Sequence, residues 1–546
     1  MEQVHVARVL EDADDLCIRI VNELAIPGLA AGIVHGRELV YARGFGFADA
    51  SRGVPVTPDT VFKIGSASKT FVAVSVLQLA ERGLLDLDDL VSDHLTSYPI
   101  VPRRGVAQPT IRQALTHTAG VGELRELRGL VRRGGLLAWP TDRPLPALRD
   151  YYRWGLRVEV EPGTKWAYAN HMFATLGQVV ADVAGVPFDR YLRENVFDRL
   201  GMATSDLHRT PRVQPRLAVG YRSDLSEGLR PAKARDMVVA GAGSVLSTVN
   251  DMARYVVALL NDGEGAGGRL LEPGSVKSAF DAHVVPDPRL SYRQGLSFFV
   301  QDFPSARSSR PSAPTQLDSG HRIVYHGGGR TGFISMVMLA PDDDLGVIAF
   351  VNSSRGGSYQ VTRNLMSRLL DVPLPADAVA STTIPERPDL WGRLIGVYQP
   401  TAGLNSSFRP ILVSGGEFEI VVHDNHLAIR GLRRGLSTPL RLRRSDPDDP
   451  YVYAAVVGGS GYSRDVWEIA FTPEGGDEVD GFNAFVSVPM RFQRRPRYAS
   501  LRRARTAAVG GAGTATALAL AAGARRAWTR RQERRAPATG SRRSSP

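Results

Sequence analysis

The sequence contains one cysteine, Cys17, so no disulfide can form within the chain. Cys17 lies in an apolar, helix-like stretch that continues to Leu24, a setting that favours a core position over a catalytic one. The opening residues, Met1–Asp15, are polar and acidic, and they lack the basic segment followed by an apolar run that marks a secretory signal. We therefore expect a cytoplasmic protein.

Long uncharged runs are also scarce. The one candidate for a membrane segment is Thr506–Ala524, which is uncharged and flanked by arginine clusters. Its only large aliphatic residues are Val509, Leu518 and Leu520, whereas a spanning helix needs about 20 predominantly apolar residues. We expect the insertion of this segment into a membrane to be marginal.

Acidic residues are nearly absent from the C-terminal region. From Arg491 onward the chain has 15 arginines and one acid, Glu533, so this region carries more than the whole formal net charge of +11. A basic tail is a weaker sign of nucleic-acid binding than a basic folded face, and we expect no nucleic-acid partner. The arginine clusters predict at most a weak contact with anionic membranes.

Signatures of metal and cofactor sites are missing as well. The sequence has no His-Glu-x-x-His, no cluster of Cys and His with ligand spacing, and no P-loop. A formal G-x-G-x-x-G occurs at Gly327, Gly329 and Gly332, but a strand-like run, Phe333–Leu339, follows it where a dinucleotide site requires a helix. We therefore predict neither a cofactor nor a metal.

The chain is 546 residues long, which is enough for two or three folded units. Two strand-like runs, Leu29–Val34 and Glu38–Gly44, predict a β-hairpin after an opening helix. The apolar, helically spaced run Ser66–Arg82 predicts a long buried helix. Strand-like runs return at Phe333–Leu339 and Leu345–Asn352, so the first part of the chain is expected to have an α+β fold.

The composition and hydrophobic pattern of the sequence change after about residue 375, and these changes predict four parts. A main domain covers residues 1–375, and a linker rich in Pro, Ala, Ser and Thr covers 376–389. Short alternating runs separated by Gly, Asn and Asp turns predict a small β-barrel or sandwich over 390–497. The low-complexity Arg, Ala, Gly and Ser tail, 498–546, is expected to be disordered.

The first candidate catalytic motif is Ser-Ala-Ser-Lys at positions 66–69. A spacing of three places Ser66 and Lys69 about one helical turn apart on one face. The chain has only five lysines among 67 basic residues, and only Lys69 has a serine three residues before it. Because a desolvated lysine can lose its proton and an arginine cannot, the motif predicts Ser66 as nucleophile and Lys69 as base. A buried helix start with an incidental lysine is the alternative on this motif alone.

Two further motifs offer partners for this pair. Tyr168 could move a proton between nucleophile and leaving group, and Asn170 could hold the lysine and a substrate amide. In His326-Gly327-Gly328-Gly329, a strand edge without side chains would let a substrate lie against the backbone. The amide groups of Ser66 and Gly329 could then form an oxyanion hole.

In this order, the three motifs resemble those of the serine β-lactamase and penicillin-binding-protein-like superfamily. They are most similar to class C β-lactamase-related peptidases and esterases of the D-aminopeptidase-like, peptidase family S12 type. Further similar stretches are Ile26–Gly28, Leu115–Gly120 and Gly241–Thr248, and the resemblance covers roughly residues 10–370. It implies an antiparallel sheet flanked by helices, an all-helical subdomain with the active site between them, and a C-terminal lipocalin-like barrel.

One departure from the family pattern concerns the substrate. Where β-lactamases and transpeptidases have Lys-Thr-Gly, this chain has His326-Gly327-Gly328. A lysine supplies a fixed charge for a substrate carboxylate, whereas histidine is mostly neutral at about pH 7. We therefore expect an esterase or a D-aminopeptidase-like peptidase, acting on a small ester or a short peptide, in preference to a true β-lactamase.

The predicted reaction proceeds through an acyl-enzyme at Ser66. Lys69, assisted by Tyr168, deprotonates Ser66, which attacks the carbonyl, and water then releases the acid. One alternative is an acyltransferase at the same site, and another is a non-catalytic binding or scaffold protein, against which the intact Ser66, Lys69 and Tyr168 argue. The natural substrate and the oligomeric state are not predicted, because the segment Val121–Glu161, expected to line the pocket, contains no interpretable motif.

Overall fold

A computed structural model describes residues 2–122, 137–224, 228–303, 320–381, 383–401, 415–432, 436–458, 465–473, 479–485 and 489–502. These residues form a large antiparallel sheet with helices on both faces, a helical subdomain, and a second unit built from strands. The predicted α+β fold class with a small all-β unit at the end is confirmed.

The main sheet has eight described strands, all paired antiparallel. The predicted hairpin is present, and its first strand also pairs with the last strand of the sheet in sequence. In spatial order the strands are Tyr292–Gln294, Phe299–Phe303, His321–Arg330, Phe333–Ala340, Leu345–Val351, Gly28–His35, Glu38–Asp49 and Val54–Pro55. Every residue of Leu345–Val351 is buried, as expected for a strand that is covered on both faces.

Helices cover both faces of this sheet. Along the strand Leu345–Val351, Val347 packs into the same hydrophobic cluster as Leu365, whereas the next residue, Ile348, packs into the cluster that contains Val256. Since successive side chains of a strand point to opposite faces, Leu365 and Val256 lie on opposite sides of the sheet. The α-helices are Glu2–Glu23, Ser68–Glu81, Val91–His94, Ile111–Leu115, Leu148–Tyr151, Asn170–Ala184, Phe188–Leu192, Asp198–Leu200, Val249–Leu260, Pro273–Phe280, Ser358–Leu369, Pro375–Ser381 and Pro388–Leu394.

The helical subdomain packs against the helix Ser68–Glu81. The helix Asn170–Ala184 contacts it directly, and Val91–His94 and Ile111–Leu115 pack in turn against Asn170–Ala184. The helix Ser68–Glu81 is buried from Ser68 to Leu79, so it forms the centre between sheet and subdomain. Short two-stranded ribbons connect these parts: Phe62–Lys63 with Leu246–Ser247, Ile100–Pro102 with Leu156–Val158, Ala138–Pro140 with Arg235–Met237, Tyr221–Asp224 with Gly228–Pro231, and Glu264–Gly265 with Gly268–Arg269.

The second unit is a nearly closed barrel of nine described strands. Their spatial order is Leu440–Arg441, His426–Gly431, Phe418–His423, Gly396–Pro400, Pro489–Arg495, Val479–Phe485, Asp465–Pro473, Val452–Val457 and Arg443–Arg444. The strands at the two ends of this order approach each other, because Leu440–Arg441 contacts Val452–Val457. Aromatic rings fill the interior, with Phe482 and Phe492 stacked at a centroid distance of 5.0 Å.

The barrel packs directly on the main sheet. One hydrophobic cluster includes Leu16 of the first helix, Val347 and Tyr292 of the sheet, and Phe471 of the barrel. The carboxylate of Glu468 accepts hydrogen bonds from both the amide and the hydroxyl of Ser291. Both the cluster and these hydrogen bonds cross between the two units.

The segment predicted as a linker, 376–389, contains most of a short helix, Pro375–Ser381. Ala376 in this helix is buried, and the helix packs against the barrel strands Val452–Val457 and Asp465–Pro473. The predicted domain limits stay predictions. The tail beyond Arg502, with the membrane candidate Thr506–Ala524, lies outside the described residues. Among the residues that are described, no helix combines the length and apolar character needed to cross a bilayer.

Candidate active site

Ser66 lies in a single 3-10 turn that leads into the buried helix Ser68–Glu81. The turn is held by Ser68, whose hydroxyl donates to the carbonyl oxygen of Gly65 at 2.6 Å and accepts from the amide of Val245 at 3.0 Å. Gly65 has a φ of +54°, in the left-handed region that favours glycine. Ser66 is thereby fixed at the helix start, where it lines a cavity of about 590 Å³.

Lys69 follows one turn later and is 0% exposed. Its Nζ lies 3.2 Å from Ser66 Oγ, 2.7 Å from Asn170 Oδ1 and 2.6 Å from the carbonyl oxygen of Ala242. Burial disfavours the charged ammonium, while these three uncharged acceptors stabilise it. The contact with Ser66 is a single hydrogen bond, which is the geometry that a direct proton transfer requires.

Three separate segments of the chain converge on Lys69. Ser66 comes from the start of the buried helix, and Asn170 is the first residue of the helix Asn170–Ala184. Ala242 ends a short 3-10 turn within the stretch that the sequence marked only by its similarity to the family. The structure thus brings together Ser66, Lys69 and Asn170, and it adds a backbone acceptor that the sequence did not indicate.

Tyr168 lies beside Lys69, whose Nζ is 4.7 Å from the centre of the tyrosine ring. The ring of His117 packs on Tyr168 at a centroid distance of 4.3 Å. The carbonyl oxygen of His117 accepts from the amide of Ala167 at 2.8 Å, and its Nδ1 accepts from the amide of Ala169 at 3.3 Å. His117 therefore holds the residues on both sides of Tyr168, a positioning role that the sequence analysis missed.

The strand His321–Arg330 passes very close to the turn that carries Ser66. A Cβ atom on Gly328 would overlap the carbonyl oxygen of Ile64, and a Cβ atom on Gly65 would come within 2.7 Å of the amide nitrogen of Gly329. Any side chain at position 328 would push the strand and the turn apart. A glycine at position 328 is therefore a condition for the packing of the site.

One edge of the same strand is open beside the cavity. The strand Phe299–Phe303 pairs with it only from His321 to Tyr325, and no described strand pairs with that edge beyond Tyr325. Gly329 is exposed, and a Cβ atom there would meet no atom within 4 Å. This leaves room for a substrate beside the backbone, as the predicted oxyanion hole requires. The hole itself stays a prediction.

The predicted site residues divide into those that line the cavity and those that do not. Ser66, Asn170 and Gly329 line it, whereas Lys69, Tyr168, Gly328 and His326 are buried and are not part of its lining. His326 is only 2% exposed, and its Nδ1 lies 2.7 Å from the carbonyl oxygen of Gly327. Its ring stacks on Phe299 at a centroid distance of 5.0 Å.

The sequence analysis also missed a group of cations in the same cavity. The positively charged residues that line it are Lys63, Arg209, Lys233, Arg235 and Arg330. They come from distant parts of the chain and form no motif, so only folding brings them together. The nearest signal in the sequence is Lys63, which is one of the five lysines and lies three residues before Ser66.

A serine at the start of a buried helix, a lysine one turn later and a glycine-rich strand of an antiparallel sheet beside them occur together in serine β-lactamases and penicillin-binding proteins, and this combination defines the class. The profile of the family described as Beta-lactamase matches residues 7–370. The chain belongs to this family of serine hydrolases, as the resemblance predicted.

Several relatives share part of the sequence. The Beta-lactamase of Escherichia coli K12 is 25% identical over 351 residues, which cover 61% of this chain and 86% of that protein. Penicillin-binding protein 4 of Amycolatopsis lactamdurans is 30% identical over 259 residues, or 46% of this chain and 65% of that protein. PbpX of Bacillus subtilis is 28% identical over 280 residues, or 51% of this chain. The chain spans 63% of the length of PbpX.

Solved structures extend the likeness of the fold. The octameric penicillin-binding protein homologue from Pyrococcus abyssi has a TM-score of 0.56 and 20% identity, and the match covers 88% of this chain and 99% of that chain. The penicillin binding protein from Bacillus halodurans has a TM-score of 0.52 and 23% identity over 64% of this chain and 98% of that chain. At 88% coverage, the first match includes strands of the barrel as well as the main sheet.

Proposed function

We propose that this chain is a serine hydrolase that forms an acyl-enzyme at Ser66 and acts on esters or on short amides and peptides. The observation that carries the proposal is the 3.2 Å contact between Ser66 Oγ and Nζ of the fully buried Lys69. Burying a lysine is costly, so a fully buried lysine in contact with a serine hydroxyl supports a role in proton transfer.

The reaction would run in two similar halves. Ser66 Oγ gives its proton to Lys69 Nζ as it forms a bond to the carbonyl carbon, and the negative charge on the carbonyl oxygen is stabilised by the amides of Ser66 and Gly329. Lys69 and Tyr168 return the proton to the leaving alcohol or amine as its bond to the carbonyl carbon breaks. Water then attacks the Ser66 ester in the same way and releases the acid.

Simple esters and D-aminoacyl amides are the proposed substrates, in preference to β-lactams. The support is His326, which stands in place of the family lysine, is buried, and contacts the carbonyl oxygen of Gly327. A histidine in this position gives the strand no permanent charge near neutral pH. A ring-opening β-lactamase reaction would need that charge from elsewhere in the cleft.

The test is covalent labelling of the purified chain with a fluorophosphonate probe, followed by peptide mass mapping. We expect one labelled residue, Ser66, and we expect Ser66→Ala to lose both the label and the hydrolysis of p-nitrophenyl butyrate at an unchanged melting temperature. The matched control is Ser51→Ala. Ser51 is an exposed serine in a turn, whose hydroxyl donates to Asp49, and its loss should change neither readout.

The outcomes separate the alternatives. A label on another serine would show that the nucleophile is assigned wrongly. No label, together with no turnover of p-nitrophenyl esters, D-aminoacyl amides or nitrocefin, would support a non-catalytic binding protein. If added methanol yields more methyl ester than free acid for the same amount of substrate consumed, the chain is an acyltransferase.

A further inference from the structure

The cavity that contains Ser66 is lined by cations that have no acidic counterpart in its wall. Its charged lining residues are Lys63, Arg209, Lys233, Arg235 and Arg330, and no described residue of the lining is an Asp or a Glu. A cleft lined by one sign of charge concentrates ligands of the opposite sign. The wall therefore favours a negatively charged ligand next to the nucleophile.

Three of these residues, Lys63, Arg209 and Arg330, form what we term the cation cluster. They also line a second cavity of about 620 Å³, so they stand between the two cavities. Lys63 Nζ and the guanidinium of Arg330 donate to the same carbonyl oxygen, that of Arg235, at 2.8 Å and 3.2 Å. Arg209 pairs with Asp236 at 3.2 Å. Three cations thus share one carboxylate.

The pKa values of two residues of the cluster are lowered in the folded protein. Burial, reinforced by Arg209 and Arg330, lowers the pKa of the Lys63 ammonium to about 7. Burial also lowers the pKa of the Arg330 guanidinium to about 10. Burial is the largest cause of both shifts and neighbouring arginines add to it, so an anion placed between these groups would stabilise their charged forms.

We propose that the cation cluster binds a carboxylate of the substrate while Ser66 attacks an ester or amide bond elsewhere in the same molecule. A carboxylate suits the cluster because guanidinium groups bind its two oxygens side by side, and because an ammonium adds a further donor. This inference rests on the proposed hydrolase function and narrows it to substrates that carry an acid group.

The cluster changes the expectation that was based on position 326. His326 supplies no permanent charge, and from that residue alone neutral substrates are favoured. Lys63 and Arg209 supply positive charge from other segments of the chain, and Arg330 supplies it from the end of the strand that carries His326. The carboxylate would therefore be recognised by the cluster and not by His326.

The test compares substrates that differ only in charge. One set is the mono-p-nitrophenyl esters of dicarboxylic acids from succinate to suberate, each measured against its methyl ester with the uncatalysed rate subtracted. The other set is p-acetoxybenzoate against methyl p-acetoxybenzoate, which places the acid on the leaving group. We expect kcat/KM to be at least about tenfold higher for the acid than for its methyl ester in one of the two sets.

Variants of the cluster test which cations cause the preference for the acid. Arg209→Gln and Arg330→Gln should each lower kcat/KM for the preferred acid about tenfold, while kcat/KM for its methyl ester changes less than about threefold. The matched control is Arg212→Gln, because Arg212 pairs with Asp198 at 2.7 Å and lines neither cavity. It removes the same charge and should leave the ratio of acid to methyl ester unchanged.

The ratio of kcat/KM for the acid to that for its methyl ester distinguishes recognition of the carboxylate from a structural role. A distorted site would lower kcat/KM for both substrates together. If Arg330→Gln does not fold, Arg209→Gln and Lys63→Met carry the same test. Equal kcat/KM for every acid and its methyl ester, with esters still hydrolysed, overturns the inference and leaves the hydrolase function intact. An acid preference that survives in all cluster variants also overturns it. The absence of both ester hydrolysis and probe labelling overturns the proposed function instead.

Discussion

Phe485 of the barrel stacks on Tyr292 of the main sheet, with ring centroids 5.0 Å apart and an angle of 21° between the planes. Tyr292 packs edge-on against Trp166 at 5.9 Å, and Trp166 lies 6.3 Å from Tyr168. The side-chain oxygen of Gln294 accepts hydrogen bonds from the Tyr292 hydroxyl and the Trp166 indole. A line of aromatic contacts thus joins the barrel to the proposed proton-transfer residue.

This line of contacts predicts that Phe485→Ala slows the reaction. Tyr292 and Trp166 would lose a packing partner, and a less well positioned Tyr168 should lower kcat/KM for a neutral ester several-fold. The control is Phe418→Ala, whose ring packs only against barrel rings among its described aromatic contacts. Either change should cost about 3–5 kcal/mol of stability. Equal rates in the two variants, measured well below both melting temperatures, would contradict the coupling.

Replacement by alanine should lower the melting temperature at Gly328 but leave it almost unchanged at its neighbour Gly329. In Gly328→Ala the new methyl group would overlap the Ile64 carbonyl oxygen, so the melting temperature and the rate of probe labelling should both fall. In Gly329→Ala the methyl group meets open space, and the melting temperature should stay within about 2 °C of the wild-type value. Similar losses of melting temperature in both variants would show that the close approach is not maintained in solution.

Lys69→Arg is expected to be nearly as inactive as Lys69→Ala. The guanidinium keeps its proton at any accessible pH and cannot take one from Ser66, so kcat should fall by at least about a thousandfold in both variants. The measurement is the rate of p-nitrophenol release in a single turnover, with enzyme in excess over the ester, which reports acylation. A near-normal rate in the arginine variant would mean that Lys69 supplies only charge.

The preference for acidic substrates should weaken as the pH rises. The pKa of Lys63 in the folded protein is lowered to about 7, so its charge is present below that pH and is lost above it. The charged groups that face it are Arg209, Arg330 and Asp236. The ratio of kcat/KM for an acid to that for its methyl ester should fall about threefold to tenfold between about pH 6 and pH 9.

Two controls define this pH effect. Any pH effect that acts through Lys69 cancels in the ratio, because both substrates depend on Lys69 equally. Measurements at constant ionic strength remove changes in electrostatic screening. Lys63→Arg keeps its charge over the whole range, so its ratio should not depend on pH. A wild-type ratio that is flat between about pH 6 and pH 9 would show that Lys63 does not face the bound acid.

The main sheet could be predicted where local pattern and burial agree. Leu345–Val351 is apolar throughout and buried on both faces, and the hairpin Gly28–His35 with Glu38–Asp49 has a turn signal between two strand-like runs. In the barrel, the strand Pro489–Arg495 carries a weak sequence signal. Arginines and glutamine fill most of it, and only Met490 and Phe492 alternate as buried apolar residues.

The contact between Ser66 and Lys69 could be predicted because the two residues belong to one helical turn. Tyr168 and Asn170 were predicted only as separate motifs, since their contact with Lys69 depends on how the helical subdomain packs. The cation cluster could not be predicted at all. Lys63 and Arg330 are far apart in sequence, and they meet only through the carbonyl oxygen of Arg235.

Because the sheet and the barrel share one hydrophobic cluster, we expect the two parts of the chain to unfold together. Separating the barrel from Tyr292 and Val347 would expose apolar surface on both sides, which raises the free energy of any form in which only one part is folded. Calorimetry should then show one melting transition, and a chain cut at residue 375 should be far more prone to aggregate than the full chain.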